Sequence, residues 1–325
     1  MNNQKKRILS GIQPTGSLHL GNYFGMMKPA IEMQSEGECF YFIANYHAVT
    51  QLPDAETLKQ RTLNVAIDFL ASGLDPERTT FFRQSDVPEV TELAWILNCV
   101  VPVGLLERCH SYKDKIARGL PANHGLFSYP VLMASDILIY DSHLVPVGQD
   151  QKQHLEVTRD IATRFNNAYG ELLVLPDARI REEVASVPGI DGRKMSKSYD
   201  NTIDLADTKK VMRKKFMRVV TDSTPLEEPK DPDSCNVSAL YKLFAFEDEA
   251  EDMRQRYRAG GLGYGHAKQE AFDQCWEYLE PFRERREQLV ADIDSVQDIL
   301  KAGASRARAV AQETLTRVRT AIGLD

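Results

Sequence analysis

The sequence has little cysteine and no long hydrophobic run, and these shortages exclude several classes of protein. Five of its 325 residues are cysteine. They are scattered without a Cys-x-x-Cys pair, which argues against a disulfide framework and a cysteine-rich metal site. The most apolar segment, 93–106, contains Asn98 and Pro102 and is too short to span a bilayer. Because the N-terminal residues also lack the apolar core of a secretory signal, we predict a cytoplasmic protein with no membrane partner and no resident metal.

An excess of positive charge is also missing. Lys and Arg together number 40 and Asp and Glu 47, so the net charge is −7, which excludes a protein that coats nucleic acid through bulk positive charge. A nucleic-acid partner would need a local basic patch, and two patches are candidates, although a solvated helix face is the alternative for both. Their residues are Lys209, Lys210, Arg213, Lys214, Lys215 and Arg218 in the first, and Lys301, Arg306, Arg308, Arg317 and Arg319 in the second.

Apolar runs at 7–11, 39–44, 79–83 and 144–147 predict strands, and helical patterns such as 149–165 separate or follow them. Continuous apolar strands that alternate with helices are typical of a parallel sheet covered on both faces. We therefore predict an α/β fold with a Rossmann-like, doubly wound parallel sheet, which binds ligands at the carboxyl ends of its strands.

Strand patterns disappear after about residue 201. Helical patterns at 207–218, 238–246, 267–290 and 305–322 predict an all-helical C-terminal domain. The predicted division is an α/β domain at 1–200, a helical domain at 201–300 and a C-terminal helix at 301–325, whose expected place is back against the first domain.

The segment 11–22, GIQPTGSLHLGN, follows the first strand and leads into a helical pattern. Glycines allow close backbone approach, and a helix start offers unpaired N–H groups to a phosphate. His19 and Asn22 lie one turn apart and share a helix face. A phosphate-binding turn is one interpretation, and a plain strand-to-helix turn with a buried histidine is the other.

The segment 194–198, KMSKS, carries two lysines and two hydroxyls after a loop that contains Gly189 and Gly192. Such a segment can grip a polyphosphate and move with it. A solvated basic linker is the alternative.

Taken together, HLGN at 19–22 and KMSKS at 194–198 resemble the two signatures of the class I aminoacyl-tRNA synthetases. Asn22 replaces the second histidine of the usual HIGH, as in the tryptophanyl and tyrosyl subgroup. SGIQPTG at 10–16 and the segment 128–156 look like the bacterial tryptophanyl-tRNA synthetases. The resemblance implies activation of L-tryptophan by ATP, with Mg²⁺, to tryptophanyl-adenylate and pyrophosphate, followed by transfer to tRNA(Trp). It further implies a homodimer, a helical domain that reads the anticodon, and one tRNA bridging two subunits; the apolar segment 93–106 could contribute to the dimer interface.

A solitary carboxylate is the candidate for recognition of the amino acid. Tyr129, Met133, Asp136 and Tyr140 follow helical spacing, and Asp136 is the only acid among them. The indole N–H of tryptophan is only a donor. One acceptor aimed at it would hold the ring and reject a ring without that N–H, by roughly 10⁴-fold or more. The family uses an aspartate here in this role, whereas pairing with an arginine or a helix amide is the alternative.

The resemblance also implies roles for individual residues. The residues implied for catalysis are His19, Asn22, Lys115, Lys194 and Lys197. Those implied for ATP binding, besides Asn22, Lys194 and Lys197, are Gln13, Pro14, Thr15, Gly21, Gly148, Gln149, Asp150, Val184, Met195, Ser196 and Ser198. Those expected to bind tryptophan are Gly11, His47, Tyr129, Met133, Asp136, Val145, Val147 and Gln151. A surface lysine is the alternative for Lys115, and a solvated loop histidine for His47.

Three rival functions stay open at this point. A tyrosyl enzyme would need groups for a phenol hydroxyl, for which the apolar surroundings of Asp136 are poorly suited. A small nucleotidyltransferase of the same superfamily would need neither the helical domain nor the full KMSKS. A non-catalytic paralogue that binds tryptophan or RNA would have no use for the intact His19, Asn22, Lys194 and Lys197.

Overall fold

The computed structural model describes residues 6–117, 119, 122–148, 152–180 and 187–325. It gives the backbone but not the side chains of residues 110, 111, 114, 115 and 180. Within these ranges, no helix has both the length and the apolar character that crossing a membrane would require.

A five-stranded parallel sheet forms the centre of the N-terminal part, in the spatial order β3-β2-β1-β4-β5. The strands are β1 Arg7–Ile12, β2 Glu38–Ile43, β3 Thr79–Arg83, β4 Leu144–Val147 and β5 Asp177–Ile180. The first four confirm the strands predicted from the apolar runs, and the parallel sheet confirms the predicted α/β class. The order reverses between β1 and β4, which is where an open parallel sheet binds its ligands.

Helices fill the connections and form nearly all of the C-terminal part. The N-terminal helices are α1 Leu20–Asn22, α2 Lys28–Glu32, α3 Asn45–Val49, α4 Ala55–Ala71, α5 Glu89–Asn98, α6 Val103–Glu107, α7 His110–Ala117, α8 His124–Leu138 and α9 Lys152–Tyr169. The C-terminal helices are α10 Lys209–Met217, α11 Asn236–Tyr241, α12 Glu247–Ala259, α13 Tyr264–Tyr278, α14 Glu280–Ala291 and α15 Ile293–Ile322. A π-helical turn spans Tyr23–Met27, and 3-10 turns span Met33–Ser35, Gln84–Asp86 and Lys197–Tyr199.

Several predicted helix boundaries were wrong. The helix predicted at 149–165 is observed as α9, which ends four residues later, and its predicted start lies outside the described residues. The predicted helix 267–290 is two helices, because the chain turns at Leu279, just before Pro281 in the first turn of α14. The predicted helix 305–322 begins instead at Ile293, after Asp292 caps it by accepting a hydrogen bond from the Ser295 amide.

Consecutive residues of each central strand bury their side chains on opposite faces of the sheet. Ile8 and Phe81 belong to one apolar layer, which continues into α4 and the helices α10–α14. Leu9 and Phe82 belong to the other layer, with α5, α8, α9 and part of α15. Because both faces are covered, the strands can be apolar throughout, as the sequence indicated.

The helix α15 lies against β3, which is paired with β2 on one side and, among the described residues, with no strand on the other. The Arg306 guanidinium donates to the carbonyl oxygens of Pro76 (2.9 Å) and Thr79 (3.2 Å). Gly303 lies so close to Phe81 of β3 that an added Cβ would overlap the Phe81 carbonyl. The C-terminal helix therefore covers an edge that would otherwise be open to pairing.

Candidate functional site

A cavity of about 390 Å³ lies at the carboxyl ends of β1 and β4, within the ~300–1,000 Å³ typical of small-molecule sites. Its walls combine many of the residues predicted for amino-acid and ATP binding. Those predicted residues are Gly11, Gln13, His47, Tyr129, Met133, Asp136, Val145, Val147 and Gly148. The sequence-based prediction missed Leu9, Ser10, Met26, Phe42, Ala44, Ile137 and Pro146, which also line it. Most of these are apolar, and only their position at the strand ends could have signalled them.

Asp136 supplies the carboxylate of this cavity, and its side chain is only 2% exposed. Its Oδ2 lies 2.7 Å from Nε2 of His47, and Gln84 Nε2 donates to Oδ1 at 2.8 Å and to Oδ2 at 2.9 Å. Burial raises the pKa of Asp136, while the hydrogen bonds from His47 and Gln84 oppose the rise. Among the described residues, its partners include neither an arginine nor a helix-terminal amide, so the structure does not support that alternative.

His47 is not a solvated loop histidine. It lies in α3, is buried, and places its ring edge against Tyr129 with 4.7 Å between the ring centroids. Burial, together with the negative charge of Asp136, raises the pKa of the Tyr129 phenol. The cavity therefore has one carboxylate, one imidazole and one neutral phenol on otherwise largely apolar walls.

Gln84 is a buried polar neighbour of the cavity that the sequence-based prediction missed. It begins the 3-10 turn directly after β3 and is 1% exposed. Its Oε1 accepts a hydrogen bond from the Tyr46 amide at 3.0 Å. The signal that could have indicated it is its place immediately after a parallel strand, where ligand-facing groups collect.

His19 caps the short helix α1, at the end of the loop that follows β1. Its Nδ1 accepts from the Asn22 amide (3.3 Å), and the Asn22 Oδ1 accepts from the His19 amide (3.2 Å). Burial, aided by the nearby Lys197 ammonium, lowers the pKa of His19 to about 4. The imidazole is therefore neutral at pH 7, and since Nδ1 is an acceptor, Nε2 carries the hydrogen and can donate.

The segment 194–198 meets the loop that carries His19. The amide of Leu20 donates to the carbonyl of Ile203, and the amide of Leu205 donates to the carbonyl of Leu18, each at 2.9 Å. A Cβ added at Gly16 would lie 3.5 Å from Nζ of Lys197. The Lys197 side chain therefore lies beside the loop that leads to His19, and a phosphate site shared by the two segments stays a prediction.

Asn201 holds the segment 194–198 in shape, and it too was missed. This buried side chain accepts from the Ser196 amide at 2.7 Å and donates to the Lys194 carbonyl at 3.1 Å and to Asp191 at 2.7 Å. Met195 is buried beneath the segment, whereas Lys194 and Lys197 are exposed. The loop thus has an anchored backbone and exposed lysine side chains.

The remaining predicted residues are placed as follows. Pro14 and Thr15 lie in the loop between β1 and α1, Gly21 lies in α1, and Ser198 donates its amide to the Ser196 hydroxyl. Gln149, Asp150, Gln151 and Val184 lie outside the described residues, and Lys115 is described only as backbone in α7. No group of three His, Cys, Asp or Glu side chains suited to a metal occurs in the parts of the chain that the structure covers.

The two basic patches differ in how their charges are used. In the C-terminal patch, Arg308 pairs with Glu89 at 2.8 Å, Arg317 with Asp141 at 2.8 Å and Lys301 with Asp298 at 3.1 Å; Arg319 pairs in the same way with Glu92. In the first patch Lys215 pairs with Asp207 and Asp204. The residues Lys209, Lys210, Arg213, Lys214 and Arg218 are exposed on or next to α10.

The apolar segment 93–106 is divided between core and surface. Leu93 and Leu97 are buried, whereas Trp95 is 72% and Val103 62% exposed. Trp95 also borders a surface groove with Leu52, another exposed apolar side chain.

Comparison with known proteins gives consistent matches along the chain. Residues 1–280 match the family model described as tRNA synthetases class I (W and Y). The chain is 55% identical over 320 residues to a tryptophan–tRNA ligase of Fusobacterium nucleatum, with 98% of each chain covered. It is 51% identical over 318 residues to the tryptophan–tRNA ligase of Campylobacter jejuni, with 98% of this chain and 100% of the relative covered.

Solved structures give the same result. The tryptophanyl-tRNA synthetase of Campylobacter jejuni complexed with ADP and tryptophan has a TM-score of 0.93 at 51% identity, covering 98% of this chain and 100% of that one. The tryptophanyl-tRNA synthetase of Mycoplasma pneumoniae has a TM-score of 0.83 at 32% identity, with 99% of each chain covered.

Proposed function

The chain belongs to the family of tRNA synthetases class I (W and Y), and we propose that it is a tryptophan–tRNA ligase. It activates L-tryptophan with ATP to tryptophanyl-adenylate and pyrophosphate, and then transfers tryptophan to the terminal ribose of tRNA(Trp). The observation that carries this choice is the buried Asp136, a carboxylate without an arginine partner among the described residues, which borders a cavity of suitable size. The two tryptophan–tRNA ligases described above, which share 55% and 51% of their aligned residues with this chain over nearly its full length, support it.

In the proposed complex the indole ring lies in the cavity, with its N–H directed at Asp136. Val145 and Val147, both buried, pack on the ring, and Tyr129 and Met133 form the opposite helical wall. A phenylalanine ring offers no N–H and would leave the acceptor unsatisfied, which is costly in a buried site. A tyrosine ring carries its hydroxyl at a different position from the indole N–H. The largely apolar walls offer few hydrogen-bond partners for that hydroxyl.

Activation needs no general base, because the attacking carboxylate of tryptophan is already an anion. One carboxylate oxygen bonds to the α-phosphorus of ATP, the bond from that phosphorus to the bridging oxygen breaks, and pyrophosphate leaves with the electron pair. The protein aligns the two groups and stabilises the charge that develops on the leaving group. Nε2–H of His19 donates to it, and the ammonium groups of Lys194 and Lys197 neutralise it. Mg²⁺ enters as part of the ATP substrate, held by phosphates and water.

The tRNA substrate is proposed to contact the basic surface of α10. Lys210 and Lys214 are exposed and have no ion pair among the described residues, whereas Arg308 and Arg317 of the C-terminal patch pair with acids of the α/β part. A tRNA backbone needs only such a local patch, despite the acidic total. The proposed domains are the catalytic 1–200, the anticodon-reading 201–300 and the helix 301–325, and the proposed location is the cytoplasm.

The protein is also proposed to be a homodimer, with one tRNA bridging both subunits. Contiguous exposed apolar side chains mark interaction surfaces. Trp95 and Leu52 border one surface groove, and Val103 is a further exposed apolar residue of the segment 93–106. Sedimentation velocity at micromolar concentration should give a dimer for the unmodified protein and a monomer for Trp95→Asp. A monomeric unmodified protein would contradict this part of the proposal.

The reaction itself is tested by ATP–pyrophosphate exchange with each amino acid in turn. Tryptophan should support exchange and tyrosine and phenylalanine should not. Lys197→Ala should lower the exchange kcat by about 10- to 100-fold while leaving KM for tryptophan nearly unchanged. Lys6→Ala, an exposed lysine at the opposite end of β1, is the control and should match the unmodified protein. Exchange with another amino acid would reject the proposed substrate, and unchanged kcat in Lys197→Ala would reject the role of Lys197.

A further inference from the structure

Gln84 does not line the cavity, but its side chain contacts the carboxylate of Asp136, which does. It is almost fully buried, and its amide nitrogen lies within hydrogen-bond distance of both oxygens of Asp136. A buried amide beside a buried acid can serve either to complete the core or to hold the acid for a ligand. The direction in which the amide points separates these roles.

The orientation of the Gln84 amide is fixed by the backbone. The amide of Tyr46 can only donate, and it lies 3.0 Å from the atom assigned as Oε1. That contact requires the oxygen on the Tyr46 side, so the amide nitrogen of Gln84 faces Asp136 and donates one N–H that is shared between Oδ1 and Oδ2. Hydrogen bonds to an ionised carboxylate favour its charged form.

The turn that carries Gln84 is itself fastened at both ends. Ser85 and Asn45 exchange two hydrogen bonds, Asn45 Nδ2 to Ser85 Oγ at 2.8 Å and the Ser85 amide to Asn45 Oδ1 at 3.0 Å. On the other side, the Arg83 guanidinium donates to Gln297 of α15 at 2.7 Å. Gln84 therefore cannot follow Asp136 if that residue moves, and instead keeps it in place.

Within the part of the chain that the structure describes, the hydrogen bonds to Asp136 also leave one acceptor position of its carboxylate unused. Its two oxygens offer about four acceptor positions. The shared N–H of Gln84 lies against both oxygens, and His47 makes a second contact to Oδ2 alone. Among the described residues, only Oδ1 keeps an unused acceptor position.

We propose that Gln84 is a specificity-determining positioning residue, which holds Asp136 so that Oδ1 is a fixed acceptor for the ring N–H of the substrate. The inference rests on the proposed function and assigns a further residue to its selectivity. Without Gln84, Asp136 could rotate or take a proton, and the N–H of the ring would lose its fixed partner. The contact is made in both the bound substrate and the transition state, so the loss should appear in KM for tryptophan rather than in kcat.

The groups that face Asp136 must be considered in any pH experiment. They are His47 from α3, and Tyr129 and Tyr140 from α8 and the turn after it. Burial raises the pKa of both phenols, so they stay neutral over the working range. An acidic limb in kcat/KM for tryptophan therefore reports on protonation of Asp136, to which His47 is hydrogen-bonded.

The test compares Gln84→Met with Gln34→Met in ATP–pyrophosphate exchange. Gln34 is a matched control, because it is also buried and uses its Oε1 to accept from Asp75 and Thr79 at the other end of β3. Each protein is assayed with tryptophan and with L-β-(3-benzothienyl)alanine, in which sulfur replaces the indole N–H. Gln84→Met should raise KM for tryptophan by about 10- to 100-fold, leave KM for ATP unchanged, and reduce the preference for tryptophan over the analogue by the same factor. It should also move the acidic limb to higher pH, whereas Gln34→Met should change only the melting temperature.

Gln84→Glu provides a second variant if the methionine variant does not fold. Its carboxyl can donate one hydrogen bond to Asp136 when protonated and repels it when ionised. KM for tryptophan should therefore fall as the pH is lowered, the reverse of the unmodified protein. A folded Gln84→Met that keeps the preference for tryptophan, or a Gln84→Glu with the ordinary pH trend, would overturn the role of Gln84 alone. An unmodified protein that does not prefer tryptophan over the analogue would overturn the proposed indole contact as well.

Discussion

Replacing Gly303 with alanine should destabilise the protein, although alanine is ordinarily the better residue inside a helix. The exchange of a helical glycine for alanine normally gains about 0.5–1 kcal/mol. At position 303, however, the new Cβ would overlap the carbonyl oxygen of Phe81 and lie 2.6 Å from its carbonyl carbon. These are backbone atoms of β3, which is paired with β2, so they cannot rotate out of the way.

The cost can be bounded from this geometry. Forcing one extra carbon into a packed region costs about 1–3 kcal/mol, and here the helix itself must move because neither neighbour is a flexible side chain. The displacement would also stretch the contacts of α15 with the α/β part, such as Arg308 to Glu89 at 2.8 Å. After the normal helix gain is subtracted, we expect a net loss of up to about 2.5 kcal/mol. For a chain of 325 residues, that corresponds to a fall in Tm of up to about 4 °C.

Gly265→Ala is the matched control, because this glycine lies in α13 and no atom lies within 4 Å of the added Cβ. Differential scanning calorimetry should give a lower Tm for Gly303→Ala and an equal or higher Tm for Gly265→Ala. The opposite direction of the two Tm changes is the important result, because a protein destabilised by any glycine-to-alanine substitution would show a lower Tm for both variants. If Gly303→Ala melted at or above the unmodified protein, the close seating of α15 on β3 would be wrong.

Two further predictions concern charge. The pKa of His19 is held at about 4, below its ordinary 6.5, so the unfolded chain binds more protons between these values, and the free energy of unfolding should fall as the pH drops from about 6.5 to about 4. His19→Asn should flatten that part of the curve in urea unfolding, and an unchanged slope would refute the assignment. Arg286 donates to the buried Asp68 at 2.8 Å, so Arg286→Met should cost up to about 3 kcal/mol by leaving a buried acid unpaired. Adding Asp68→Asn should recover much of that loss in the same measurement, and a double variant no more stable than Arg286→Met would argue against the pair.

The sequence predicted the four strands that contain consecutive apolar residues and failed for the one that does not. The strand β2 is recognisable because Cys39 to Ile43 are all buried. The edge strand β5, Asp177–Ile180, has alternating polar residues and was missed, since only its pairing with β4 defines it. The early start of α15 was missed for a related reason. Gly303 interrupts the helical pattern locally, and only the tertiary contact with Phe81 explains its presence.

The same distinction holds within the candidate site. Asp136 was singled out because it is the lone acid on an apolar helix face and because the resembled family uses an aspartate there, and the segments 19–22 and 194–198 were singled out by their motifs. Gln84 could not, because it is uncharged, belongs to no motif, and has partners 38 and 52 residues away in the chain. Asn201 was missed likewise, as its contacts are to backbone atoms of the loop it holds.

The two halves of the site are held by different kinds of structure, and this difference fits their proposed tasks. The side that faces the ring is a network of buried side chains from three elements, in which Asp136, His47 and Gln84 are each at most 4% exposed. The phosphate side is the loop 194–198. Asn201 anchors the backbone of this loop, while the ammonium groups of its lysines are exposed. Distinguishing one ring from another requires an acceptor that does not adapt, because an adaptable one would also satisfy the wrong ligand. Following a polyphosphate from substrate to leaving group requires charges that can move with it. A single rigid cavity could supply the fixed acceptor but not the mobile charges. We therefore expect the reaction to require both a rigid half for the ring and a mobile half for the polyphosphate.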